Sequence, residues 1–230
     1  IFRQREAMLA IMEANRSQRC IHHPHAAPAT STYEFFVDCE FFSSINIDYE
    51  REWPELHGTP MIFMFGVGWI EDGAWHYRDF IASHETHAAE FAMLDEFLQF
   101  LYQQTQGDLS NCVLYHWSHA EHSQMRAAAE RHNLPENHPL CKLPWHDLEK
   151  TCRTNACAIP GAWSYGLKDV ASALRALDSS YDPYWPSDLN DGGMAQVVGW
   201  WAYQCPQPLY SEEMCQLRSY LEADCRATYQ

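Results

Sequence analysis

The chain has 230 residues, 47% of them hydrophobic and 14% aromatic, which is ample apolar surface for one packed core and excludes a disordered or fibrous class. Its 15 Lys and Arg against 31 Asp and Glu leave a net charge of −16, which argues against a domain that grips nucleic acid over a broad basic face. The longest apolar stretch, 61–70, is far short of the roughly 20 residues a membrane-crossing helix needs. Nine irregularly spaced cysteines and no signal-like start point to a reduced, cytoplasmic setting.

The pattern up to Ala14 is helical, and 20–32, with its Pro and small polar residues, reads as a linker. The chain therefore divides into a helix and linker, 1–31, belonging to a longer protein, and one domain, 32–230. Aromatic and β-branched runs at 33–42, 61–70 and 74–81, with Gly73 in the last turn, predict a three-stranded antiparallel meander. In 86–104 the spacing of Phe91, Leu94, Leu98 and Leu101 predicts a helix lying on that sheet. A buried strand at 111–117 precedes a helix over 120–132, and 145–148 is a fifth short strand or a helix start. Leu167, Val170, Ala171 and Leu174 form a further helical stripe behind a Ser164 cap, and 193–203 and 212–229 are helical as well. Three antiparallel strands followed by alternating parallel strands and helices define an α/β fold with a mixed sheet.

In the first strand, the two-residue period puts Asp38 and Glu40 on one face, roughly 6.6 Å apart by strand rise. Flanked by Phe35, Phe36, Val37, Phe41 and Phe42, these acids are partly withdrawn from water, where a carboxylate is costly unless a cation neutralises it. Glu121 follows the buried strand, at the strand ends where parallel α/β sheets bind ligands. On the last helix, Tyr220 and Asp224 share a face at spacing i, i+4, bordering the stripe Met214, Leu217, Leu221 and Cys225. Hard cations such as Mg²⁺ or Mn²⁺ prefer oxygen donors of this kind.

The ordered set Phe-Val-Asp38-Cys-Glu40, Tyr-His116-Trp-Ser-His-Ala-Glu121, Ser-Tyr-Gly-Leu-Lys168-Asp-Val-Ala and Tyr220-Leu-Glu-Ala-Asp224-Cys resembles the RNase H-like 3′-to-5′ exonucleases named for their four acids. Among these it is most similar to nuclease domains attached to RecB-like nuclease or helicase modules. The resemblance implies an RNase H-like sheet with helices on both faces and two Mg²⁺ or Mn²⁺ ions held by Asp38, Glu40, Glu121 and Asp224. It further implies that Tyr220 orients the attacking water, as in the branch with a tyrosine four residues before the last acid. Ser219 stands where the sister branch has histidine, and Glu121 where the family normally has Asp. The substrate implied is the 3′ end of single-stranded DNA or RNA, in a DNA-repair setting alongside other domains or a helicase or nuclease partner, and Lys168 is the candidate substrate contact.

Two other readings stay open. Cys20, His22, His23 and His25, or His116, His119 and His122, suggest a zinc-binding domain, although neither cluster matches an established ligand spacing and Cys152 and Cys157 show no second pair nearby in sequence. An RNase H-like fold can also serve as a docking module without catalysis. Asp191, in a glycine-rich turn, is assigned no role.

Overall fold

The structure, a computed structural model, describes residues 2–22, 31–43, 51, 61–181, 185, 189 and 191–230. His23 and His25 of the expected linker cluster lie outside the described residues. Five strands form one sheet in the order β3-β2-β1-β4-β5: β1 (Tyr33–Phe41), β2 (Ile62–Glu71), β3 (Ala74–Ile81), β4 (Cys112–His116) and β5 (Trp145–Asp147). The β1–β2 and β2–β3 pairs are antiparallel, and β1–β4 and β4–β5 are parallel. This is the expected α/β mixed sheet, and 145–147 resolves as a strand. Asp72 and Gly73, both at positive φ, make the two-residue turn between β2 and β3, a conformation matched to the strand twist.

The two faces of β2 show how the helices are placed. Phe65 points to one side and meets Phe97 of α2 (His87–Gln104) with ring centroids 4.4 Å apart. Gly66 faces the other side, where a Cβ would lie 2.8 Å from Leu221 of α7 (Glu212–Tyr229), so the absence of a side chain lets α7 settle on the strand backbone. Met214, Leu217, Leu221 and Cys225 are all fully buried on this contact. The intervening helices are α3 (Ala120–Arg131), α4 (Leu148–Thr154), α5 (Leu167–Leu177) and α6 (Gly192–Tyr203).

The N-terminal helix α1 (Phe2–Ser17) buries Ala7, Ala10, Ile11 and Ala14, spaced along one face, in a satellite cluster with Ala158 and Tyr165. Asn15 fastens it, donating to the Ala162 carbonyl and accepting from Gly161 N–H, each at 2.8 Å. Ile21 and Ala158 then exchange two backbone hydrogen bonds of 2.8 Å, so this part of the expected linker is paired to the domain.

Two local expectations are corrected. Phe91 is 36% exposed, its ring beside His132, and the buried stripe of α2 is Met93, Leu94, Phe97, Leu98, Phe100 and Leu101. Ser164 is not the cap of α5. Gly166 occupies that position, and Asp169 in the first turn reaches back to accept from the N–H groups of Trp163 and Ser164 at 2.9 and 2.6 Å. A carboxylate in the first turn is favoured by the helix dipole, and the Ser164 hydroxyl accepts from Gly166 N–H at 3.1 Å. Among the described residues no helix is long and apolar enough to cross a membrane.

Candidate metal centre and active site

Asp38 and Glu40 leave β1 on the side that pairs with Gly66 and Met64 of β2, the side covered by α7. One turn of α7 separates Tyr220 from Asp224, and both are turned inward, at 3% and 5% exposure. One oxygen each of Asp38, Glu40 and Asp224 lies within 4.8 Å of the others, the only such group of metal-binding side chains among the described residues. Glu121 arrives from the opposite side. Between β4 and α3 the backbone passes through Ser118 at φ +83°, a left-handed conformation uncommon for serine. The first turn of α3 then carries Glu121 into hydrogen-bonding contact with Asp38. Asp38 is therefore shared between the trio and Glu121, and it alone of the four retains partial exposure.

Withdrawing four carboxylates from water without cations makes ionisation costly. Burial first, then the neighbouring charge of Glu121, raises Asp38 well above the carboxylate range, and burial with the charges of Asp38 and Asp224 does the same to Glu40. Burial likewise pushes Glu121 up to about 7, and burial with the charge of Asp38 pushes Asp224 up to about 7. Lys168 opposes the rise at Asp38, Glu40 and Asp224 but does not cancel it.

Each distal acid has a fixed orienting partner. His116 Nδ1 lies 3.0 Å from Glu121 Oε2 with both side chains almost fully buried. Against the ionised form of Glu121, which only accepts, that nitrogen is the donor. Trp185 Nε1 donates to Asp224 Oδ1 at 2.8 Å. Lys168 Nζ donates to the Tyr220 hydroxyl at 2.7 Å and sits over the Tyr220 and Trp185 rings. Burial, with the charges of Asp224, Glu40 and Asp38, holds the Tyr220 phenol far above its ordinary pKa, so it keeps its proton and donates it to Asp224.

These groups open onto a cleft of about 450 Å³ whose rim includes Trp117, Glu149, Gly166, Leu167 and Gln196. Gln196 Oε1 accepts from both the N–H and hydroxyl of Ser43, tying α6 to the end of β1. All five sequence-identified site residues, Asp38, Glu40, Glu121, Tyr220 and Asp224, line this cleft, and Lys168 reaches it through Tyr220. Asp191 caps α6 through Met194 N–H, and Ser219 bonds its own helix at the Cys215 carbonyl.

A mixed sheet in this strand order, with carboxylates converging from its central strand and its final helix, is the architecture of RNase H-like proteins. The family model of the RNase H superfamily matches residues 52–230, and the chain belongs to that superfamily. Glu121, Lys168, Tyr220 and Asp224 fall inside the matched stretch, while Asp38 and Glu40 precede it and are placed by geometry. No curated protein and no solved structure matches the chain.

Sequence reasoning missed both orienting partners. His116 carried a weak signal as a histidine at the end of a buried strand, five residues before an acid. Trp185 carried none, because it lies between helices with no periodicity to give its direction. Neither zinc grouping has three ligand atoms within 4.8 Å among the described residues. Cys20, His22, Cys152 and Cys157 line a common cavity of about 350 Å³ that is otherwise mostly apolar.

Proposed function

We propose that the domain is a divalent-metal-dependent nuclease that hydrolyses phosphodiester bonds, removing nucleotides from the 3′ end of single-stranded DNA or RNA as one module of a larger nucleic-acid-processing protein. The observation that carries this reading is the convergence of Asp38, Glu40 and Asp224 within 4.8 Å, with Glu121 against Asp38 and no cation among them sufficient to hold them ionised. An all-oxygen donor set with surplus negative charge fits Mg²⁺ or Mn²⁺, and Asp38, touching both neighbours, would be shared by two ions. Bound there, the ions would relieve charge on the phosphoryl oxygens and on the leaving group.

The chain's own groups supply the remainder. His116 and Trp185 hold Glu121 and Asp224 in fixed rotamers, so the cage is formed before substrate arrives. Tyr220 cannot act as a base, because its proton is too tightly held. Its oxygen accepts from Lys168 and retains a second lone pair. A water donating to that lone pair keeps its own electrons directed at phosphorus. The Lys168 ammonium, beside the acids, also offers a substrate phosphate a charge-assisted contact.

The test is degradation of a 5′-end-labelled single strand with Mg²⁺ or Mn²⁺. The expected outcome is a ladder shortening from the 3′ end that requires metal and disappears in Asp38→Asn. Activity without metal, or unchanged in the variant, rules the reading out and leaves a docking role. Tyr220→Phe should lower kcat about 10- to 100-fold while leaving metal affinity near the parent's. A parallel loss of metal affinity would make the tyrosine a packing residue.

A further inference from the structure

Across the 116–121 turn from the carboxylates lies a second cleft, of about 580 Å³, lined by His116, His119, His122, Trp145, His146 and Lys150 among others. His116 is the wall between the two hollows: Nδ1 holds Glu121 on one side, and the ring stands perpendicular to Trp145, 5.5 Å away, on the other. This lining departs from the acidic character of the chain as a whole. Two of its three lysines stand at these adjoining sites, Lys168 beside the acids and Lys150 in the second cleft. Lys150 is exposed and makes no ion pair among the described residues. Asp147 is the one carboxylate on the lining, and its Oδ1 is engaged by Lys150 N–H at the start of α4. The planar side chains His122 and Trp145 lie 6.0 Å apart, tilted by 31°.

A half-buried indole and an exposed imidazole, next to an ammonium with no acidic partner, are the elements by which proteins hold one nucleotide of a single strand, through base stacking and a phosphate contact. The volume suits a ligand of that size. We infer that this cleft seats the nucleotide adjoining the scissile bond, its phosphate on Lys150 and its base against Trp145 and His122, so that a strand crosses the 116–121 turn with its terminal phosphodiester among the carboxylates. The inference rests on the nuclease reading and names the substrate as a single strand at least two nucleotides long.

Two substrates separate the cleft from the chemistry. A mononucleotide p-nitrophenyl ester spans only the carboxylate site, whereas a short single-stranded oligonucleotide spans both. Lys150→Ala and His122→Ala remove exposed side chains and should each raise KM for the oligonucleotide about tenfold, the scale of one stacking or phosphate contact. Both should leave kcat and ester hydrolysis at parental values. In Lys150→Ala the salt dependence of oligonucleotide affinity should flatten by about 0.7 in the log–log slope, the value for one phosphate on a single strand. An unchanged oligonucleotide KM, or equal losses on both substrates, overturns the assignment. If the parent hydrolyses neither substrate, the nuclease reading fails on its own. Fluorescence anisotropy of a labelled oligonucleotide then decides the cleft without turnover: weaker binding by Lys150→Ala supports it, and unchanged binding refutes it.

Discussion

Glu90 and the Asp38 group are carboxylates withdrawn from water in one domain, yet their surroundings differ in kind. Glu90, fully buried at the α2–α3 contact, accepts from Ile62 N–H at 2.7 Å, from two Arg131 nitrogens at 2.9 and 2.6 Å, and from His132 at 2.8 Å. Burial pushes its pKa up, but the His132 and Arg131 contacts outweigh that and bring it below the ordinary value. The members of the Asp38 group also have partners, in His116, Trp185, Tyr220 and Lys168, but these do not offset burial and the charge of the neighbouring acids, and all four move up. A carboxylate whose charge is met inside the protein is part of the scaffold. One whose charge is left unmet, in company, marks a candidate functional site, and on the nuclease reading it takes its cations from outside.

The largest effect that separates the two regions is Asp38→Asn. Hydrolysis should fall by about three orders of magnitude, the scale of losing a principal electrostatic stabiliser, while the metal-free melting temperature rises because the cost of burying an ionisable carboxyl with a raised pKa is gone. Calorimetry alongside the nuclease assay checks both, and a fall in melting temperature would show that Asp38 is stabilising, as Glu90 is. At the other site the sign reverses: Arg131→Met removes the guanidinium from the buried Glu90, leaving it only Ile62 N–H and His132, and denaturant unfolding should show a loss of about 3–5 kcal/mol. A change below about 1 kcal/mol would remove the contrast.

His116 sharpens the comparison within the carboxylate site itself. His116→Phe should weaken Mn²⁺ binding about 10- to 100-fold by freeing Glu121, and His116→Asn, which can still donate, should recover much of it. Equal defects in the two variants would mean that the ring packs rather than orients. The smallest effect is in pH dependence. Groups whose folded pKa lies above the unfolded value bind protons more tightly when folded, so metal-free stability should decline as pH rises from about 4 towards about 7, through the shifted titrations of Asp224 and Glu121. The paired Glu90 contributes oppositely, its stabilisation being present above the unfolded value and lost as pH falls. Melting curves of the parent and of Asp224→Asn across that range should diverge towards neutral pH, and parallel curves would contradict the assigned shifts.

Periodicity carried most of the fold. The alternation in β1 placed Asp38 and Glu40 on one face, and the four-residue spacing of Tyr220 and Asp224 placed both on the inner border of α7, because strand and helix geometry are local properties. The mixed sheet followed from the order of runs and turns. What stayed illegible depends on tertiary approach: Trp185 reaching Asp224, His116 turning onto Glu121, and Lys168 engaging Tyr220. Only the packing of β5 and α4 beside the 116–121 turn brings Lys150 and Trp145 into one cleft against His116. Phe91 shows the converse, since a residue in register with the apolar stripe lies at its edge and remains open to solvent.

Calorimetric titration of Mn²⁺ into the metal-free protein near neutral pH tests the central claim most directly. Two ions per chain are expected, with proton release as the raised carboxyls ionise and with binding lost in Asp38→Asn, since that side chain is shared between Glu121 and the trio. Absence of binding by the parent, or undiminished stoichiometry and affinity in the variant, would contradict the account.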